Sequence, residues 1–263
     1  MAEKISVITI SYNSIKTIEK TFESILNQKY RPLEYVLVDG GSTDGTLELI
    51  ESYIPKFSKA GIEVNFKSER DNGISDAFNK GIYRATGDII GIINSDDQLM
   101  PESLMKVMQE FANSNSDVVC GDCLWNDEEN GMEYVRKSKM QLQRLKFQMV
   151  LMHPSCFVKK VAYEKYGVFD TKLKYVMDKD LMARFYKNGA KFSHISGVLT
   201  RMSAGGASDA NAKKVYEEGI IVAMRNGVPK WYAVLRAIYK WYRLKLVTAL
   251  KNNRLFGIFL RKR

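Results

Sequence analysis

The residues of this chain whose types and spacing could do chemistry are mostly carboxylates. The sharpest group is Asn94-Ser95-Asp96-Asp97, two adjacent acids directly behind the apolar run Asp88–Ile93. Two carboxylates held close together repel unless something positive lies beside them. Hard oxygen ligands of this kind suit Mg²⁺ or Mn²⁺, especially with the diphosphate of a substrate. Three more polar groups follow apolar runs: Ser11-Tyr12-Asn13, Asp39-Gly40-Gly41-Ser42 and Glu69-Arg70-Asp71-Asn72-Gly73. Any one alone reads as a turn, because Asp, Asn, Ser and Gly dominate turns. Four in succession read as loops around one ligand. Asp178 and Asp180 open a later helical segment, where residues two apart point roughly 200° from each other, so they cannot share a face. Both also suit the macrodipole of a helix start. His153 offers an imidazole either for a phosphate contact or for structure. Cys120-Gly121-Asp122-Cys123 has no second pair and only two histidines in the chain to join it, so it reads as packed strand cysteines rather than a zinc site. Neither GxxxxGK[ST] nor GxGxxG is present, which removes the ATPase loop and the dinucleotide fingerprint.

The elements that must position these groups alternate. Ile5–Ser11 reads as a buried strand, followed by a helix through Ile15, Ile18, Phe22, Ile25 and Leu26 with Asn13 or Ser14 as its cap. Glu34–Val38 and Val64–Ser68 read as strands, with a helix through Leu47, Leu49, Ile50 and Tyr53 between them. Ser75–Ala85 reads as a helix and Asp88–Ile93 as a fourth strand. Strands alternating with helices imply βαβ units and a mainly parallel sheet. In such a sheet ligands bind at the carboxyl ends of the strands, where the polar groups lie. Further on, a helix from Pro101 to about Asn113, a hairpin of Asp117–Leu124 with Met132–Val135, and helices at Gln141–Met149, Lys159–Tyr166 and Asp178–Asn188 are expected.

The 263 residues carry a net charge of +10, but from Gly219 to Arg263 there are eleven Lys/Arg and no acid, which accounts for all of the excess. The expected organisation is therefore an α/β domain over residues 1–210 and a basic helical tail over 211–263. In the tail, Trp231, Val234, Leu235, Ile238, Tyr242, Leu246 and Ala249 share one helical face, with Arg236, Lys240, Arg243, Lys251 and Arg254 opposite. That pattern suits an anionic membrane leaflet, or else a helix packed on the domain. No nucleic-acid module is recognisable. The three cysteines and the polar first residues point to a cytoplasmic protein without a signal peptide.

ISVITISYNS, VLVDGGSTDGT, ERDNGISDAFNKGIYRATGDIIGIINSDD and MDKDLMARFYKNG stand in the order of the motifs of family 2 glycosyltransferases. Residues 4–206 resemble that family, and most of all its bacterial O-antigen and surface-polysaccharide enzymes. The resemblance implies a GT-A (Rossmann-like) fold and inverting transfer, dependent on Mn²⁺ or Mg²⁺. It places Asp39 on the nucleotide base, Tyr12 and Asn13 beside it, and Asp71 in the donor site. Asp97 would be on the metal, with Asp96 on the ribose or a metal-bound water. Asp178 matches the catalytic base, although Met177 stands where the family has a second acid. His153 would contact a phosphate of donor or acceptor. The segment Met202–Ser208 resembles the loop that closes over the donor. The implied reaction moves a hexose, glucose or galactose, from a UDP-sugar to a GlcNAc-diphospho-undecaprenol acceptor at the inner face of the membrane. The alternatives are another donor sugar later in the repeat unit, or a non-catalytic nucleotide-sugar or membrane-binding module.

Overall fold

The computed structural model describes residues 3–128, 130–204 and 211–252. Its first half is the alternation expected: β1 (Ile5–Ser11), α1 (Ile18–Leu26), β2 (Leu33–Asp39), α2 (Thr46–Lys59), β3 (Ile62–Ser68), α3 (Ile74–Arg84) and β4 (Ile89–Ile92). The four strands run parallel in the order β3-β2-β1-β4. β1 and β2 are apolar on both faces because helices cover both. Ile8, Val36, Val38 and Ile90 pack against Phe78 and Ile82 of α3. Ile5, Val7, Leu33, Tyr35 and Leu37 point the other way, onto Phe22 of α1 and Phe57 of α2, as the two-residue period of a strand requires. Each such side chain removed from water contributes about 1.5–3 kcal/mol. α3 lies directly on β1 because residue 81 is glycine: a Cβ there would stand 2.5 Å from Ile8 Cγ2.

The second half contains β5 (Gln98–Leu99), α4 (Ser103–Asn113), β6 (Val118–Asp127), β7 (Met132–Arg136), β8 (Cys156–Lys159), α5 (Lys160–Tyr166), α6 (Met177–Lys187) and β9 (Phe192–Ser203). These strands extend the sheet from β4 through β8, β6 and β9 to β5, with β7 as a hairpin on β6. Only β6–β9 is parallel here. The Gln141–Met149 helix is not formed. A single 3-10 turn, Leu142–Arg144, stands in its place, and Leu145, Val150 and Leu151 are buried one by one as the chain crosses the core. Cys120 and Cys123 are packed strand residues, as expected: Cys120 Sγ lies 2.9 Å from Cys156 Sγ, and all three cysteines are buried and free.

Two helices follow, α7 (Ala212–Arg225) and α8 (Lys230–Asn252). The expected boundary at 210 does not coincide with a break in packing. Val222 of α7 is buried with Leu173 and Val176, ahead of α6. Ala223, Val228 and Ala233 bury a second contact with Phe147. The described part of the tail is thus joined to the domain from its first helix. Val234 is half-buried in α8. The side chains of Ala249 and Lys251, and all of Arg254, lie outside the described residues.

Candidate active site

β1, β2, β3 and β4 all end at one edge of the sheet, and their loops surround a cleft of about 530 Å³. Five of the eight residues singled out in the sequence line it: Tyr12, Asp71, Asp96, His153 and Asp178. Asp39 and Asp97 are buried behind its surface, and exposed Asn13 does not line it.

Asp39 ends β2 fully buried. Its oxygens accept the N–H groups of Gly41 and Ser42, both at 2.8 Å, and the hydroxyls of Ser11 (3.0 Å), Ser42 and Ser68 (2.9 Å). Burial alone would push its pKa up, but these donors, Ser42 foremost, hold it below the usual carboxylate value. Asp39 has both oxygens engaged by these donors. It clamps the ends of β1, β2 and β3 together. Asn13 does similar work. Rather than capping α1, it takes a left-handed conformation (φ 50°), donates to Ser42 Oγ and accepts from the Thr43 N–H. Tyr12, held out by this turn, is 66% exposed on the cleft rim. Asp71 accepts the N–H of Gly73 at 2.8 Å. It also closes on Gly40, where a Cβ would lie 2.7 Å from Asp71 Oδ2 and 3.3 Å from the Tyr12 ring. Gly40 is thus a place where these three loops touch, and a side chain there would have to displace Asp71.

Asp96 lines the cleft while Asp97 beside it is 1% exposed. Asp97 Oδ2 accepts the Asn94 amide at 3.0 Å, and its backbone carbonyl accepts the Thr21 hydroxyl at 2.7 Å. Burial, with Asp96 next to it, pushes the Asp97 carboxyl up to about 8, and burial raises Asp96 as well. Two acids that resist ionising, with no ion pair to either among the described residues, are under-compensated negative charge. They fit a divalent cation, but two protein carboxylates do not complete a coordination shell. Among the described residues no group of three metal-ligating side chains exists, so a cation here needs oxygens from a bound diphosphate.

On the opposite wall α6 places Asp178 in its first turn, its Oδ1 accepting the Lys179 N–H at 2.7 Å. Asp180 turns away and is 1% exposed, paired with Arg184 Nε at 3.1 Å and with Arg225 of α7 at 3.3 Å. The helical period that separates the two acids thus sends one to the cleft and the other into an ion pair between helices. His153 packs against Phe169 and Phe78, with ring centroids at 5.8 and 6.1 Å. Burial lowers its pKa, and the Asp178 charge opposes that shift. Met202 also lines the cleft, and the Ser203 hydroxyl donates to the Asp96 carbonyl at 2.8 Å. The rest of the loop expected to close over the donor, 205–208, lies outside the described residues.

Sequence reasoning missed Glu218 of α7. Its carboxylate accepts the N–H groups of Lys174, Tyr175 and Val176 at 2.9, 2.8 and 3.1 Å, fixing the loop from which α6 springs. Nothing in its local sequence marks it.

Comparison with known proteins agrees with this geometry. The family model described as glycosyl transferase family 2 matches residues 6–167. A PGL/p-HBAD biosynthesis glycosyltransferase of Mycobacterium bovis is 25% identical over 232 residues, 86% of this chain and 88% of that protein. Among solved structures, S. aureus TarS 1–349 in complex with UDP-GlcNAc superposes with a TM-score of 0.67 at 21% identity, covering 88% of this chain and 69% of that one. Of a longer S. aureus TarS chain, this protein spans only 39%. The mannosyltransferase PcManGT of Pyrobaculum calidifontis, solved with GDP-Man and Mn²⁺, gives 0.66 at 18% identity over 98% of this chain and 83% of its own. The likeness to the solved structures establishes the fold, and the family match establishes the rest: the chain has the GT-A fold and belongs to glycosyl transferase family 2.

Proposed function

We propose that the chain is an inverting, cation-dependent hexosyltransferase that moves glucose or galactose from a UDP-sugar to a GlcNAc-diphospho-undecaprenol-type acceptor in surface-polysaccharide synthesis. The observation that carries the reading is the division of labour among the acids of the cleft. Asp71 is bonded to its own loop, and Asp96 sits over buried Asp97. Asp71 and Asp96 belong to the loops after β3 and β4, and Asp178 is the one carboxylate that α6 brings to the cleft among the described residues. A single carboxylate on α6, apart from the Asp96–Asp97 pair, suits a single displacement, which inverts the anomeric carbon; a double displacement needs two closely placed carboxyl groups.

Tyr12 and the loops meeting at Gly40 border the place for the nucleotide base. Asp96 and Asp97 would hold the divalent ion, which when bound neutralises charge developing on the leaving diphosphate. Asp178 takes the proton of the acceptor hydroxyl as its oxygen bonds to the anomeric carbon. The bond from that carbon to the β-phosphate oxygen breaks, and the nucleoside diphosphate leaves with the electron pair. His153, beside Asp178, can donate a hydrogen bond to a phosphate or hydroxyl. Support for UDP as the nucleotide comes from TarS, solved with UDP-GlcNAc.

α8 supports attachment at the inner face of the membrane. Among the described residues no helix is long and apolar enough to cross a bilayer. Trp231, Leu235, Ile238, Tyr242 and Leu246 are nevertheless all exposed along one stripe of α8, the arrangement of an interfacial helix. The test of the proposed activity is a panel of radiolabelled UDP-sugars with Mn²⁺ and a synthetic GlcNAc-diphospho-lipid. Transfer from UDP-glucose or UDP-galactose with an inverted product linkage is expected. Binding of UDP-sugars without transfer of any of them would contradict it.

A further inference from the structure

Asp178 borders two cavities. Besides the cleft already described, it lines a pocket of about 310 Å³ enclosed by the start of α6, by α7 and by α8. The polar wall of this pocket is basic: Lys179, Arg236 and Lys240 all line it, while Val176, Ile220 and Ala233 supply the apolar side. Lys179 is 4% exposed. Its ammonium has one long contact, 3.5 Å to the Gly219 carbonyl on α7. Asp178, Asp180 and Glu218 lie near enough to act on it. Asp180, however, is paired with two arginines, and Glu218 is occupied by three backbone N–H groups. Arg236 stacks on the Phe147 ring at 4.2 Å and Lys240 donates to the Phe147 carbonyl at 3.2 Å. None of the three cations forms an ion pair among the described residues. Burial, and Lys240 close by, bring the Lys179 ammonium down to about 8. Burial lowers Lys240 too, with Arg236, Arg243 and Arg144 adding to it. Like charges gathered in a dry pocket oppose one another, and an anion relieves the opposition.

We infer that this basic pocket is the subsite for a phosphate or diphosphate group of the acceptor, with Lys179, Arg236 and Lys240 as its ligands. The inference rests on the reading of Asp178 as the acceptor's base. An acceptor sugar that presents its hydroxyl to Asp178 from the side away from the donor has its other end in this pocket. The donor's own diphosphate belongs across the cleft with Asp96 and Asp97. The apolar stripe of α8 lies on the outside of the helix that carries Arg236 and Lys240. An acceptor whose diphosphate joins a sugar to a lipid would then have each part matched by one side of that helix.

The test compares two acceptors with the same sugar, one a short-chain lipid diphosphate and the other a neutral alkyl glycoside, by the ratio of their kcat/KM values. In Arg236→Gln/Lys240→Gln that ratio should fall about 10- to 100-fold, the worth of charge-assisted hydrogen bonds to phosphate. Lys240→Arg should largely retain it. An unchanged ratio in the double variant overturns the inference. The wild-type enzyme gives a second measurement that needs no variant. Inorganic pyrophosphate should compete with the lipid-diphosphate acceptor, whether or not it also competes with the UDP-sugar at the cation site; competition with the UDP-sugar alone overturns the inference. Vesicle sedimentation separates the remaining source of phosphate: if phospholipid headgroups were the ligand, the double variant would lose vesicle binding while its acceptor ratio stayed at the wild-type value. Failure of the base reading looks different, because Asp178→Asn would then keep turnover on both acceptors alike.

Discussion

At the scale of single residues, Asp97 makes the sharpest statement about conditions. Its folded-state pKa is raised to about 8 by burial and by Asp96, above the ordinary value of about 3.9 in an unfolded chain. Between those values the folded protein keeps a proton that the unfolded chain has lost. Stability of the metal-free protein should therefore fall as pH rises from about 4 to about 8. A divalent cation takes the proton's place, so its stabilising effect should grow over the same range. Thermal unfolding at pH 6 and pH 8 in the presence of UDP, with and without Mn²⁺, checks this: the Mn²⁺-induced rise in Tm should be larger at pH 8. An equal or larger rise at pH 6 would mean that the pair does not bind the ion. Much of this was legible in the sequence, since adjacent acids behind an apolar strand already signal uncompensated charge. The separation of Asp178 from Asp180 was legible too, from helical spacing alone. Lys179 was not. A lysine between two acids reads as solvated, and only the docking of α7 over it makes it a buried cation.

Among the elements, α7 turns out to hold the site together. Glu218 neutralises three backbone donors just before α6, and Val222 packs on the same loop. Replacing Glu218 by Ala should cost about 2 kcal/mol of stability. It should also lower kcat by loosening Asp178, with little change in UDP affinity. Urea unfolding together with UDP calorimetry separates the two effects, and an unaltered kcat would show that the loop is set by packing alone. The β-α alternation up to β4 was readable because β1, β2 and β4 are largely apolar runs and β3 alternates apolar with polar residues, each between turn signals. β9 was not: Phe192–Ser203 contains Gly197, a histidine and an arginine, and it is a strand only because it pairs with β6 across a long sequence gap. Gln141–Met149 failed in the opposite sense, as helix-like spacing gave way to separate anchors in the core.

For the whole molecule, the charge asymmetry seen in the sequence is real, but its orientation differs from the simple picture of a basic face lying on anionic lipid. Arg236 and Lys240 turn inward to the pocket, while Lys230, Arg243 and Lys245 remain exposed beside the apolar stripe. Attachment to a bilayer should consequently depend more on apolar insertion than on charge, and so survive moderate salt. Trp231→Ser/Leu235→Ser should sediment with anionic vesicles clearly less than wild type at 0.15 M salt, with the folded domain intact by circular dichroism. Equal sedimentation would leave the stripe as ordinary surface. Truncation near Lys213 would not be a clean test of the tail, because it removes Glu218 and Val222 and with them the support of Asp178.

The central claim is that one carboxylate, Asp178, takes the acceptor's proton in a single displacement. The most direct measurement is single-turnover transfer by Asp178→Asn beside Asp180→Asn, with UDP binding followed in both. Asparagine keeps the size of the side chain but cannot accept the proton, so transfer by Asp178→Asn should fall about 10²–10⁴-fold while UDP binding is retained. Asp180→Asn should lose stability, through its two arginine partners, more than it loses chemistry. Near-normal transfer by a folded Asp178→Asn protein would contradict the account, and with it the assignment of both cavities that this residue borders.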